Sequence, residues 1–161
     1  MKTIKIAFYK NSKSFFWALI RFKQRYLMDL PQRYARYSHV ELVFEDWIFF
    51  SSSEEDWGVR FKKINFKPDH WDSMELEVSN KDYRKIFNFC RRNDWNAYNW
   101  FGIVFAQTLN LNLFRKPWDY FCSEIVTRAI QEAKYMCYYD SLFISPGQLA
   151  YIMEDWKNII N

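Results

Sequence analysis

An α+β fold is predicted by three features of the sequence. Alternating β-branched and aromatic residues dominate the first half of the chain. Apolar residues at helical spacing dominate the second half, and no Pro- or Ser-rich linker, repeat or low-complexity tract separates the two. The expectation is one domain over residues 1–161. Length agrees, since 161 residues is about one domain's worth. A hydrophobic content of 50%, with 22% aromatic, is enough to bury a sizeable core and too apolar for a disordered chain.

Each element has its own signal. Thr3 to Tyr9 alternates and reads as a strand. A helix follows, capped by Ser12 or Ser14, with Phe15, Phe16, Leu19, Ile20, Tyr26 and Leu27 on one broad face, and it stops before Pro31. Tyr37–Phe44 and Trp47–Ser53 flank the polar break Glu45-Asp46 and form a hairpin, although the usual turn glycine is missing. Val59–Phe66 and Met74–Val78 alternate apolar with charged residues, as half-exposed strands do. Beyond them the spacing turns helical. Tyr83, Ile86, Phe87 and Cys90 share a face after a cap at Ser79 or Asn80. Tyr98 to Leu109 is a strongly apolar helix, and Ile125, Val126, Ala129, Ile130 and Ala133 mark another that begins near Cys122. Ser145-Pro146-Gly147-Gln148 is a capping box with proline at the first helical position, leading Leu149, Ile152, Met153 and Trp156.

Composition removes several function classes. The 23 basic and 19 acidic residues leave a net charge of +4, too small a surplus to imply nucleic-acid or membrane binding by itself. With only three glycines in the chain, Gly-rich phosphate loops such as the P-loop or the dinucleotide fingerprint are absent. The three cysteines (Cys90, Cys122, Cys137) are odd in number and lack CxxC spacing, which argues for reduced thiols in a cytosolic setting. With no HExxH or paired-cysteine pattern, neither a metal nor another cofactor is expected. The start, MKTIKIAFYK, has no signal-peptide core, and the most apolar segment, Trp100 to Leu113, contains Asn and Gln and is too short to span a bilayer.

Two histidines restrict any imidazole chemistry to His39 or His70. His70 lies in the turn-like Lys67-Pro68-Asp69-His70-Trp71-Asp72 and reads as a surface residue. His39 lies on a strand whose alternation puts His39, Glu41 and Val43 on one face and Val40, Leu42 and Phe44 on the other. Cys122 stands where the aromatic run Trp118-Asp119-Tyr120-Phe121 gives way to an amphipathic helix. A thiol in a first helical turn meets unpaired N–H groups and the positive end of the dipole, which favour the nucleophilic thiolate. Burial as a small hydrophobe is the competing reading, and Cys90 fits its helix's apolar stripe in that way. A partner orienting His39 should point the same way from the next strand: Ser51 and Ser53 qualify by parity, and Glu41 does so on the same strand.

Tyr37-Ser38-His39-Val40-Glu41-Leu42-Val43, Ser51-Ser52-Ser53, Gly58-Val59-Arg60 and Phe121-Cys122-Ser123-Glu124-Ile125-Val126 together resemble the circularly permuted papain-like (NlpC-type) superfamily. The closest branch is the YiiX/YaeF-like amidases with uncharacterised phage-encoded relatives; lecithin:retinol acyltransferase-like proteins are more distant. The resemblance implies an antiparallel sheet packed against helices, with the histidine preceding the nucleophile in the chain. It implies His39 as general base, Cys122 as nucleophile and Ser51 in the place of the family's third polar residue. That place in active relatives tends to hold His or Glu, so Ser51 is a departure: a hydroxyl brings no charge to an imidazolium. The implied activity is a thiol hydrolase or acyltransferase acting on an amide, ester or thioester of a small-molecule, peptide or lipid acyl substrate. The implied setting is cytoplasmic, the host's cytoplasm if the chain is phage-encoded.

The competing expectation is a binding module that keeps the fold without turnover and binds nucleic acid or a partner protein. A nucleic-acid version is suggested by Arg21, Lys23, Arg25, Arg33 and Arg36 interleaved with Phe22, Tyr26, Tyr34 and Tyr37. The same run also reads as the solvated face of a helix and its loop, and that reading is preferred.

Overall fold

The computed structural model describes residues 1–10, 15–99 and 118–160. The predicted caps Ser12 and Ser14, the side chains of Phe15, Phe16 and Trp156, and positions 100–109 of the predicted Tyr98–Leu109 helix lie outside the described residues. The rest is an α+β fold. Its strands are β1 (Lys2–Tyr9), β2 (His39–Phe44), β3 (Ile48–Ser53), β4 (Gly58–Lys63) and β5 (Trp71–Val78). They form one antiparallel sheet in the order β4-β3-β2-β1-β5. Five helices accompany it among the described residues: α1 (Phe15–Phe22), α2 (Gln32–Ala35), α3 (Asn80–Asn93), α4 (Cys122–Gln131) and α5 (Pro146–Ile160).

Strand parity sorts the core into two layers. Ile4, Ile6, Phe8, Val40, Leu42, Phe44 and Phe50 join the main cluster, which includes Ile125, Val126, Ala129 and Ile130 of α4. On the other face Ala7, Val43, Phe49 and Trp71 form a smaller cluster with Tyr9, Ile64 and Phe66 against it. β2 is the central strand, and its first residue, His39, pairs with Tyr9 of β1. β5 begins at Trp71, three residues earlier than the alternation implies, because it pairs with β1 along its whole length, from Lys2↔Val78 to Tyr9↔Trp71. β4 ends at Lys63, three residues short of Phe66, whose ring packs instead on Phe49 and Trp71.

Several local signals act as the sequence implies. Ser79 caps α3 by accepting the N–H of Asp82. In the capping box, Gln148 Oε1 accepts from Ser145 N at 2.9 Å and Ser145 Oγ accepts from Gln148 N at 3.3 Å. The β2–β3 hairpin turns without glycine through Glu45–Trp47, where Asp46 and Trp47 take φ of 59° and 56°. Asp tolerates that region; a tryptophan there is held by its contacts, with Lys5 over its ring and Phe66 beside it.

The face predicted for α1 is corrected beyond its second turn. Residues Lys23–Leu27 follow as a π-helical turn, which advances the chain by more residues per turn and rotates its faces. Ile20, Lys23 and Gln24 are therefore buried, whereas Tyr26 and Leu27 are exposed. Gln24 explains the arrangement: its Nε2 donates to the carbonyls of Ala35 and Tyr37, and its Oε1 accepts from Gly147 N, tying the turn to α2 and α5.

Candidate functional site

His39 opens β2 and Cys122 opens α4, and the two meet where these elements begin. The segment before α4 is drawn to the sheet by Ser52 Oγ, which donates to Tyr120 O at 2.6 Å. Ser123 Oγ donates to Ile144 O at 2.6 Å and fixes the first turn of α4 from the other side. Phe121, in the N-cap position, offers no side-chain acceptor, so the first-turn N–H groups are not capped from there. Cys122 is 2% exposed.

His39 is held from two directions. Its Nε2 is 3.0 Å from Glu41 Oε1, two residues along the same face of β2. Burial, the largest influence, would lower its pKa. It is outweighed by the charge and hydrogen bond of Cys122, together with the hydrogen bond and charge of Glu41, and the pKa is pushed up to about 9. The Trp71 ring meets the imidazole edge-on, with centroids 6.4 Å apart and planes at 65°. Tyr98 is also close: burial first, then the negative charge of Cys122, pushes its phenol well up.

Glu41 is 1% exposed yet stays ionised. Burial would raise its pKa, but hydrogen bonds from His39 and Arg60 hold it below the usual carboxylate range. Arg60 clasps it with both terminal nitrogens, Nη1 to Oε2 at 2.8 Å and Nη2 to Oε1 at 2.9 Å. Arg60 Nε donates to Asp56 Oδ2 at 2.7 Å, and Lys62 Nζ meets Asp56 Oδ1 at 2.7 Å. A continuous polar chain thus runs from sulfur through imidazole, carboxylate and guanidinium to the surface.

Among the residues singled out by sequence, Cys122, His39 and Glu41 come together, and Ser51 does not join them. The Ser51 hydroxyl donates to Val40 O at 2.7 Å, so it is not the group that orients His39. Parity placed Ser51 on the correct face but could not tell that a backbone carbonyl would take its proton. Ser53 is buried, and among the described residues it makes no hydrogen bond to His39. His70 sits in the turn before β5, where its carbonyl accepts from Lys10 N. Cys90 is buried in the core and Cys137 is exposed.

Sequence reasoning assigned no role to Arg60, although it closes the quoted Gly58-Val59-Arg60, because its partner lies two strands away. Tyr98 falls at the start of the predicted Tyr98–Leu109 helix. It instead forms a parallel bridge with Tyr120, and Asn99 N donates to Tyr120 O. The basic–aromatic run also changes meaning. Lys23, Tyr34 and Tyr37 are buried. Arg33 pairs with Glu154 and Arg36 with Asp72, while the phenols of Tyr34 and Tyr37 donate to those same two carboxylates. Two of the four rings proposed to stack on bases are thus structural.

Among the described residues no cluster of His, Cys, Asp and Glu could hold a metal ion, and no helix is long and apolar enough to cross a membrane. No protein-family model matches the chain, and no curated protein matches it.

Proposed function

We propose that the protein is a cysteine-dependent hydrolase or acyltransferase, with Cys122 as nucleophile, His39 as general acid–base and Glu41 as the group that orients the imidazole. One observation carries the reading: a largely covered imidazole, 13% exposed, under the combined pull of the Cys122 sulfur and the Glu41 carboxylate, with the sulfur in the first turn of a helix. A protonated imidazole beside a thiol favours the thiolate, which is the attacking form. With Nε2 on Glu41, Nδ1 is the nitrogen left for the sulfur side.

The chemistry follows from that geometry. The Cys122 thiolate adds to the carbonyl carbon of an amide, ester or thioester, and the oxyanion is stabilised by N–H groups at the start of α4. His39 gives its proton to the leaving amine, alcohol or thiol as the carbon–heteroatom bond breaks, which leaves a thioester on Cys122. Water or another acceptor then loses a proton to His39 as it attacks, releasing the acyl group and restoring the thiolate. Glu41 supplies the negative charge that Ser51 lacks, so the departure from the papain-like pattern at position 51 is compensated within β2.

An electrophilic acyl probe tests the proposal. Wild type is expected to be labelled at Cys122, with labelling abolished in Cys122→Ala and reduced at least about a hundredfold in His39→Gln. Equal labelling of wild type and Cys122→Ala would refute the assignment and leave a non-catalytic module on the same fold.

A further inference from the structure

We infer that Arg60 is the positioning residue of this site: its guanidinium fork holds the Glu41 carboxylate against His39 Nε2, and Ser51 is small so that the fork can pass. The inference rests on the reading of Cys122 and His39 as a reacting pair.

A carboxylate as buried as Glu41 needs compensation, and one imidazole supplies a single donor. Arg60 supplies two more, at 2.8 and 2.9 Å. Two parallel bonds fix the plane of the carboxylate as well as its place, which a lysine ammonium cannot do. Oε1 is thereby aimed at the ring, 3.0 Å from Nε2. The guanidinium is itself held, since its Nε is committed to Asp56, and Asp56 to Lys62.

Sheet register accounts for Ser51. Arg60 on β4 lies opposite Ser51 on β3. Continuing the Leu42↔Phe50 pairing by one residue sets Ser51 beside Glu41 on β2. Arg60 therefore reaches across β3 over position 51, on the face shared by Glu41 and His39. Ser51 turns its hydroxyl down onto Val40 O and leaves the path open. A His or Glu at position 51 would occupy the space the guanidinium uses.

The groups facing this network are few. Glu41 meets His39 and Arg60, with Ala7 of β1 opposite it. His39 meets Glu41 on its own strand, Cys122 from α4 and the Trp71 ring from β5. Tyr98 lies on the sulfur side, and the charge of Glu54 acts on its phenol.

Two readouts on the full chain test the inference. A slowly exchanging imidazole N–H held by a carboxylate gives a low-field proton resonance, and with two histidines in the chain a His70→Gln control assigns it to His39. The second readout is the iodoacetamide alkylation rate of Cys122 at pH 7, with exposed Cys137 as internal reference. Wild type should show the resonance. Arg60→Gln, Arg60→Lys and Glu41→Gln should each lose it and slow Cys122 alkylation about tenfold, with Cys137 unchanged. The Arg60→Gln/Glu41→Gln double variant should be no slower than Glu41→Gln alone, because the arginine acts through the carboxylate. If Arg60→Gln does not fold, Arg60→Lys decides on the same outcomes. A retained resonance with wild-type alkylation, or losses that multiply in the double variant, overturns the role of Arg60. Failure of wild type to react with the acyl probe overturns the enzyme reading instead, and the His39 resonance then still decides whether Arg60 positions Glu41.

Discussion

His39 is governed by opposing influences whose balance has a measurable consequence. Its folded pKa, about 9, lies above its unfolded value of 6.5, so folding favours proton binding at this ring. A raised value contributes stability that is fully present below the unfolded pKa and is lost as pH rises through the folded one. This group's contribution should therefore be lost between about pH 6.5 and 9, amounting to about 3 kcal/mol. Urea unfolding across that range checks the expectation: His39→Gln should flatten the slope, and an undiminished slope would assign it to other groups. The mutual dependence of Glu41 and Arg60 belongs to the same scale. Without Arg60, the buried Glu41 keeps only His39 as a charge partner, so Arg60→Gln should weaken the hold on His39 much as Glu41→Gln does.

At the scale of elements, the site depends on how loops are tied to strands. Gly58 begins β4, two residues before Arg60, and forms a bridge with Ala97. A Cβ at Gly58 would meet Asn96 O at 2.3 Å, so its lack of a side chain is a matter of close backbone approach. The segment it touches carries Tyr98, whose N–H donates to Trp57 O and which bridges Tyr120, two residues before Cys122. Gly58→Ala should push these strips apart, costing about 1–3 kcal/mol of stability and slowing Cys122 alkylation; thermal melts and the alkylation assay measure the two effects. Elsewhere, single polar residues make the irregular connections possible. Gln24 satisfies three backbone groups around the π-helical turn, which is why a helix with an apolar stripe buries a glutamine and exposes Tyr26 and Leu27.

At the scale of the whole molecule, the sheet separates two environments. One face carries the large core under α3, α4 and α5; on the other, among the described residues, lies a smaller aromatic layer around Trp71, whose ring also meets His39 edge-on. Trp71 contacts the rings of Tyr9, Phe49 and Phe66. Trp71→Ala should cost about 3–5 kcal/mol and admit water to the imidazole. Water there relieves the burial that lowers its pKa and screens the Cys122 and Glu41 charges that raise it, so the pH at which this stability is lost should shift. An unshifted profile in that variant would mean the ring is shielded by other groups.

Local patterns in the chain determined the five strands, a cap at Ser79 or Asn80, the capping box at Ser145, the helix opening near Cys122 and the face shared by His39 and Glu41, because periodicity and capping act over a few residues. Which polar group would take His39 Nε2 was left open among Ser51, Ser53 and Glu41, since parity gives a face and not a partner. That choice, with the arrival of Arg60 from two strands away, the burial of Gln24 and the approach of Tyr98 to Cys122, was decided by register and packing between segments distant in sequence. Such contacts are set by competition for space and hydrogen bonds in three dimensions, where one carbonyl at Val40 was enough to turn Ser51 away from the imidazole.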